Sequence, residues 1–178
     1  MVRSLTLALL APLVAIAAVQ ATAPARGAVL GSDAAACAGG EGPGILATIV
    51  GFKDRKGELK LELYPANEQD FLKDDRDLIR EGKLFRRVRA PTPATGTVQM
   101  CMKVPRPGRY ALLFTHNRDG KNKFSVWQDG AGFASNLRLG RVRPKLAQAV
   151  IDVPAGGVSV TIRAQYLRGL GGFAPIGR

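Results

Sequence analysis

The sequence predicts an all-β protein, and two features of its pattern lead to that class. Short apolar or alternating runs recur along the chain, and breakers rich in proline and glycine separate them. Seven short strands with turn-rich connections predict a seven-stranded antiparallel β-sandwich with an Ig-like or transthyretin-like layout. The seven runs with strand character are 45–52, 58–64, 83–90, 97–104, 109–116, 145–153 and 158–166.

The first two strands show the pattern most clearly. "ILATIVGF" (45–52) is rich in β-branched residues, and "ELKLELY" (58–64) alternates leucines with Glu58, Lys60 and Glu62. Alternation with a period of two indicates a strand with one buried face. A short polar turn lies between the two runs, so we expect them to form a hairpin.

One short helix is expected between strands 2 and 3. Asn67 is suited to cap it, with Asp70 three residues on, and Gly82 provides its exit. Its buried side would carry Phe71, Leu72, Leu78 and Ile79. We interpret the aspartates of this segment as its solvated face rather than a cation site; they are Asp70, Asp74, Asp75 and Asp77.

The N-terminus has the layout of a secretory signal peptide over residues 1–21. A short basic start precedes an apolar run over 5–19, which is too short to span a bilayer as a helix. We therefore expect cleavage near Ala21, a periplasmic or secreted protein, and no transmembrane segment after cleavage. An uncleaved anchor is one alternative, and lipidation of Cys37 after "AAA" is another.

The amino-acid composition divides the rest of the chain into a linker, a sandwich domain and a tail. Residues 22–44 are rich in alanine, glycine and proline and are expected to be a flexible linker. The sandwich would cover residues 45–166. The glycine-rich segment 167–178 is expected to be a flexible basic tail.

Two cysteines are present, and export favours a disulfide between Cys37 and Cys101. Two separate buried thiols are the alternative. In "TVQMCMKV" (97–104) alternation places Cys101 on the face opposite the apolar residues. The bond would therefore hold the N-terminal segment against the outside of the sheet.

The chain is strongly basic, with 26 Lys and Arg against 14 Asp and Glu and a net charge of +12. Cleavage after Ala21 would remove only Arg3 and leave +11. For an exported protein this charge indicates an anionic envelope lipid, glycan or protein partner, and no nucleic acid. The alternative is that the charge serves solubility alone. We expect a monomer.

Three stretches resemble a known family when taken in order. They are "GFKDRKGELKLELYPANEQDFL" (51–72), "VPRPGRYALLFTHNRDGKNKF" (104–124) and "GAGFASN" (130–136). The chain resembles domain-of-unknown-function family 2141, a group of small exported bacterial proteins, over residues 45–166. The resemblance implies a β-sandwich similar to transthyretin-like and carboxypeptidase-regulatory modules, and it implies no known activity.

The loop "HNRDGKNKFS" (116–125) departs from the acidic pattern usual in that family, which looks like a calcium site. Asp119 is its one carboxylate, and Arg118, Lys121 and Lys123 surround it. Cations repel a calcium ion, so we expect no metal here and no cofactor elsewhere.

The stretch 124–145 is the candidate binding region. It combines aromatic rings and amides with a basic run, a mixture suited to recognition on a rigid scaffold. The alternatives are that the aromatic residues fold inward and that the basic run is only a solvated loop. The candidate ligand-binding residues are Trp127, Phe133, Asn136, Arg138, Arg141, Arg143 and His116.

These observations predict a non-catalytic exported module that binds an anionic envelope component or a protein partner. No catalytic residue is assigned, because none of the common catalytic motifs occurs. One alternative is a periplasmic enzyme, hydrolytic or metal-assisted, centred on His116 and Asp119. A second alternative is a purely structural accessory module.

Overall fold

The computed structural model describes residues 27–38, 42–121 and 123–177. The predicted signal peptide therefore lies outside the described residues. Strands dominate, and the described α-helices are α1 (Ala34–Cys37), α2 (Asp75–Arg80) and α3 (Leu146–Ala149), with a 3-10 helix at Gly169–Gly171. The strands are β1 (Val29–Leu30), β2 (Gly44–Val50), β3 (Glu58–Pro65), β4 (Arg86–Pro91), β5 (Val98–Lys103), β6 (Gly108–Asn117), β7 (Gly130–Gly132), β8 (Val150–Val153), β9 (Val158–Arg163), β10 (Gln165–Leu167) and β11 (Phe173–Pro175).

Two sheets are formed, which confirms the all-β class. One has the order β1-β5-β2-β9, and the other has the order β11-β10-β7-β6-β3-β4 with β8 paired to β6. The second sheet is antiparallel throughout. In the first sheet β1 runs parallel to β5 and β9 parallel to β2, so the prediction of a purely antiparallel sandwich is wrong. Alternation along a strand reports its buried face and carries no information on the direction of its neighbour.

The predicted hairpin of the first two strands is also wrong, because β2 and β3 belong to different sheets. β2 pairs with β5 and β9, whereas β3 pairs with β4 and β6. Both strands turn their apolar residues toward the same core, from opposite sides. The turn between them crosses from sheet to sheet, and Gly51 and Gly57 adopt positive φ angles of 78° and 75° there.

The core between the sheets follows the predicted alternation. Leu59, Leu61 and Leu63 of β3 face the apolar set of β5, as expected from period two. The β5 contribution is Val98, Met100 and Met102, and Val104 follows in the same core. Cys101 is buried on the other side of β5, where it forms the predicted disulfide with Cys37 at a Cα–Cα distance of 5.9 Å.

Residues 27–38 are ordered structure rather than the predicted flexible linker. β1 pairs with β5, and α1 carries Cys37 to the disulfide. Asp33 accepts hydrogen bonds from the Lys103 backbone N–H at 2.9 Å and from Arg86 at 2.8 Å. Burial opposes ionisation of Asp33, but these donors outweigh it and keep its pKa below the ordinary value.

The C-terminal segment is likewise more ordered than predicted. β11 pairs with β10, and the backbones of Gly140 and Phe173 form a further bridge. The predicted strand 158–166 divides at Ala164, where the chain passes from the first sheet to the second. The first half of the predicted strand 145–153 is α3, and β7 was not predicted.

The helix between β3 and β4 is shorter than predicted. It begins after Asp74, whose carboxylate accepts the Arg76 N–H at 3.0 Å. Asn67 instead closes a separate turn by accepting the Asp70 N–H at 2.9 Å. Leu78 is buried but Ile79 is exposed, because adjacent residues of a helix point in directions about 100° apart.

Candidate functional site

The outer face of the seven-stranded sheet is covered by loops, which places a second apolar cluster there. Tyr64 and Leu113 of the sheet pack in this cluster with Phe71, Phe133 and Leu139 from the covering segments. An antiparallel sheet that is covered on both faces has no open polar face. The covering segments are 66–85 and 133–149.

The loop after β6 is tied together at its base. Asp129 is buried, and its two oxygens accept the backbone N–H groups of Arg118 and Ser125, each at 2.8 Å. The Arg118 guanidinium pairs with Asp54 and donates to the Gln128 carbonyl at 2.6 Å. This hydrogen bonding from Arg118 keeps the pKa of Asp54 below its ordinary value. The base is therefore rigid, and the tip with Trp127 points outward.

A groove lies between this tip and the segment 139–144, and we call it the Trp127 groove. Its volume is about 430 Å³. Trp127 is 78 % exposed and Val142 is 74 % exposed, and they stand on its two sides. The lining residues used below are Phe124, Val126, Trp127, Leu139, Arg141 and Val142.

The groove is set in a positively charged region. Residues 117–149 contain seven Lys and Arg but only two Asp. Asp129 is occupied in the loop base, and Asp119 accepts the Lys121 N–H at 2.9 Å. The arrangement presents exposed apolar side chains inside a field of excess positive charge. The cations are Arg118, Lys121, Lys123, Arg138, Arg141, Arg143 and Lys145.

Four of the predicted ligand-binding residues lie at or near this groove. Trp127, Arg141 and Arg143 line it, and Arg143 also donates to the Phe71 carbonyl at 3.0 Å. Arg138 is exposed and donates to the Gly171 carbonyl at 2.9 Å.

Phe133 and Asn136 have structural positions. Phe133 is buried under the covering loops, as the inward-folding alternative proposed. Asn136 has a φ of 55°, and its side chain joins the segment to β9 through Thr161 O at 2.7 Å and Arg163 N at 2.6 Å. Its amide therefore holds the loop and is not presented to the groove.

His116 is fully buried, with 0 % exposure. Its Nε2 lies 2.6 Å from the Lys56 carbonyl oxygen and its Nδ1 lies 2.7 Å from the Tyr166 hydroxyl. Burial lowers the pKa of His116. The pairing with Asp119 on which the enzyme alternative depends is not among its contacts, and His116 does not reach the groove.

Sequence reasoning missed the polar residues on the covered face. Lys60, Glu62 and Asn117 are buried there, although alternation predicts an open polar face for the first two. These residues line a second cavity beside the groove, together with Thr115 and Asp129. One sequence feature could have indicated this shared polar patch. Thr115 and Asn117 of β6 are polar, and in the strand register they lie beside Lys60 and Glu58 of β3.

Within the described part of the chain, no group of three His, Cys, Asp or Glu side chains is arranged to hold a metal ion. No helix of that part is long and apolar enough to span a membrane.

Comparison with known proteins places the chain in a family without revealing an activity. No curated protein and no solved structure shows significant similarity to it. The family model DUF2141, described as an uncharacterized protein conserved in bacteria, matches residues 47–161. That match spans well over half of the 178 residues, so the chain belongs to the DUF2141 family.

Proposed function

We propose that this protein is an exported, non-catalytic β-sandwich module that binds anionic phospholipid surfaces through the Trp127 groove. The observation that supports it is the exposed tip of the loop after β6. The chain has one tryptophan, and that residue stands 78 % exposed among excess cations. Two sheets around one core support the proposed Ig-like or transthyretin-like layout.

The chemistry of the groove matches a bilayer surface. Tryptophan is favoured at membrane interfaces because its ring is apolar and its N–H is polar. Val126 and Val142 are exposed beside it and add apolar area that would enter the head-group region. Each nearby Lys or Arg contributes about 1 kcal/mol of attraction to an anionic surface. Neither contribution is strong alone, but together they favour reversible peripheral binding.

The proposed compartment is the periplasm or the cell exterior. It is supported by the signal-peptide pattern of residues 1–21 and by the Cys37–Cys101 disulfide, since structural disulfides are typical of oxidising compartments. We propose a monomer that acts without a cofactor. A glycan or protein partner is the alternative to lipid, and it becomes the next ligand to test if the vesicle experiment below is negative.

The test uses the single tryptophan as its own reporter. The protein would be mixed at low ionic strength with vesicles of phosphatidylcholine that contain increasing phosphatidylglycerol. We expect a blue shift of Trp127 emission and co-sedimentation with the anionic vesicles, both reversed by salt because exposed charges are screened. Absence of binding to anionic vesicles at low salt, or equal binding to pure phosphatidylcholine, refutes the lipid proposal.

Matched variants separate the groove from net charge. Arg141→Gln should weaken co-sedimentation, whereas Arg106→Gln removes the same charge from the opposite end of β6 and should have less effect. Trp127→Ala should weaken it further, with Ile79→Ala as the exposed apolar control. Equal effects of the two arginine variants would show that charge acts without the groove.

A further inference from the structure

A second cavity lies on the covered face of the seven-stranded sheet, beside the Trp127 groove. Its volume is about 310 Å³, at the lower end of the range for small-molecule sites. We call it the outer-face pocket. The residues that carry the argument are Lys60, Leu113, Thr115, Asn117, Phe124 and Phe133.

Lys60 is the unusual group of this pocket, because it is only 5 % exposed. It lies on β3 between Arg89 of β4 and Thr115 of β6 in the strand register. Its ammonium has a carboxylate of Glu58 at 3.7 Å, which is longer than a hydrogen bond. The side chain is therefore largely buried while its ammonium has only this long ion pair, which leaves the ammonium able to pair with a bound anion.

Electrostatics agree with this geometry. Burial lowers the pKa of Lys60, and repulsion from Arg89 adds to the effect. A negatively charged ligand beside the ammonium would favour its charged form and so oppose this lowering of the pKa.

Asn117 supplies a second unfilled position. Its side chain lies at the end of β6 and the residue is 4 % exposed. The amide oxygen Oδ1 is buried without a hydrogen-bond partner. Such an oxygen costs about 1–3 kcal/mol relative to a satisfied one. A ligand hydroxyl or N–H would satisfy it.

The acidic side chains of the pocket are already occupied. Glu62 accepts from Arg87 at 2.6 Å through one oxygen and from the Tyr64 hydroxyl at 2.7 Å through the other. Both oxygens of Asp129 accept backbone N–H groups at 2.8 Å. The polar groups left for a ligand are therefore cations, a hydroxyl and an amide, between walls formed by Leu113, Phe124 and Phe133. They belong to Lys60, Lys121, Thr115 and Asn117.

We propose that the outer-face pocket binds a small organic acid. Its carboxylate contacts Lys60, its apolar body packs against Phe124 and Phe133, and a hydroxyl or N–H donates to Asn117. This pocket adjoins the Trp127 groove and shares Phe124 with it, but the proposal does not depend on lipid binding.

The probes are chosen to vary one ligand group at a time. They are 4-hydroxyphenylacetate and 3-hydroxyoctanoate, each compared with its neutral amide and with the acid that lacks the hydroxyl. Binding would be measured by calorimetry and by saturation-transfer NMR without lipid. We expect saturable binding of at least one hydroxy acid, and affinity lower by about ten- to hundredfold for its amide because a charge-assisted hydrogen bond is lost. Absence of saturable binding by every acid at millimolar concentration overturns the proposal, as does equal affinity for acid and amide.

Variants test the named groups. Lys60→Met keeps most of the side-chain volume but removes the ammonium, so it should lower affinity about ten- to hundredfold while raising the urea midpoint. Asn117→Leu should abolish the preference for the hydroxylated acid. Lys53→Met removes an exposed charge outside the pocket and should leave affinity unchanged. Unchanged affinity in a folded Lys60→Met protein would overturn the proposal, and the acid–amide comparison decides it if that variant does not fold.

Discussion

Acidification should destabilise this protein through His116, the only histidine of the chain. The Lys56 carbonyl can only accept a hydrogen bond, so Nε2, at 2.6 Å, carries the proton and donates to it. Nδ1 of the neutral ring then accepts from the Tyr166 hydroxyl at 2.7 Å. A second proton on Nδ1 would displace that donor inside a buried site, which is why the folded state holds the neutral ring.

The direction of the stability change with pH follows from the lowered pKa of His116. Burial lowers the pKa of His116 in the folded protein below its unfolded value of about 6.5. Below that pH the unfolded chain binds a proton that the folded chain refuses, so the free energy of unfolding falls as pH falls. Between about pH 7.5 and about pH 5.5 the loss reaches at most about 1.4 kcal/mol, if the folded ring stays neutral throughout.

Urea unfolding at the two pH values measures this loss. With a slope of about 1–3 kcal/mol/M, the midpoint should fall by about 0.5–1.4 M at the upper limit. His116→Gln removes the titrating ring and should make the midpoint nearly independent of pH in this range, since no other side chain has its ordinary pKa there.

NMR titration of the wild-type imidazole provides a direct check that needs no variant. Its ring resonances in the folded protein should titrate with a midpoint below about 6.5, the unfolded value, because burial lowers the pKa of His116. A midpoint at or above about pH 6.5 would refute the reasoning, because a ring protonated that readily cannot be held neutral by Lys56 and Tyr166.

Three further predictions concern stability and are measured by urea unfolding. Replacing Cys37 and Cys101 together by alanine should cost about 4 kcal/mol, because the bond closes a loop with a sequence separation of 64; a loss below about 1 kcal/mol would contradict it. Gly57→Ala should lower the free energy of unfolding by more than about 2 kcal/mol, because a methyl group there would collide with the Asn117 carbonyl. Gly120 has a similar φ of 70° but open space around it, so Gly120→Ala should cost only about 1 kcal/mol. Equal losses in the two variants would argue against the collision. Arg118→Ala should lower the free energy of unfolding by about 1–2 kcal/mol, since Arg118 ties the loop to Asp54. It should also speed amide hydrogen exchange at Ser125 more than at Val98. Unaltered exchange would show that Asp129 holds the loop alone.

Local patterns predicted the strands and their buried faces well. Val98, Met100 and Met102 were expected in the core and Cys101 on the opposite face, and all four lie as expected. Alternation needs only neighbouring side chains along one strand, so the sequence carries it directly. The helix was less well placed, because Asn67 and Asp74 are both suitable caps and the helix begins after the second.

The candidate site was only partly predictable. The aromatic and basic character of 124–145 was visible, and Trp127, Arg141 and Arg143 do meet at one groove. The outer-face pocket was not predictable, because Lys60 becomes buried only when segments distant in the chain cover it.

Composition and periodicity were thus sufficient for the all-β class, the core residues and the disulfide, because these depend on hydrophobicity, on strand geometry and on having two cysteines. The pairing of β2 with β9 rather than β3, and the covering of the second sheet, depend on contacts between distant residues. His116 shows the difference most clearly. The sequence contains one histidine without a visible partner, and the fold brings it to Lys56 and Tyr166, which are 60 and 50 residues away. Burial there lowers the pKa of a group that in water would titrate near physiological pH.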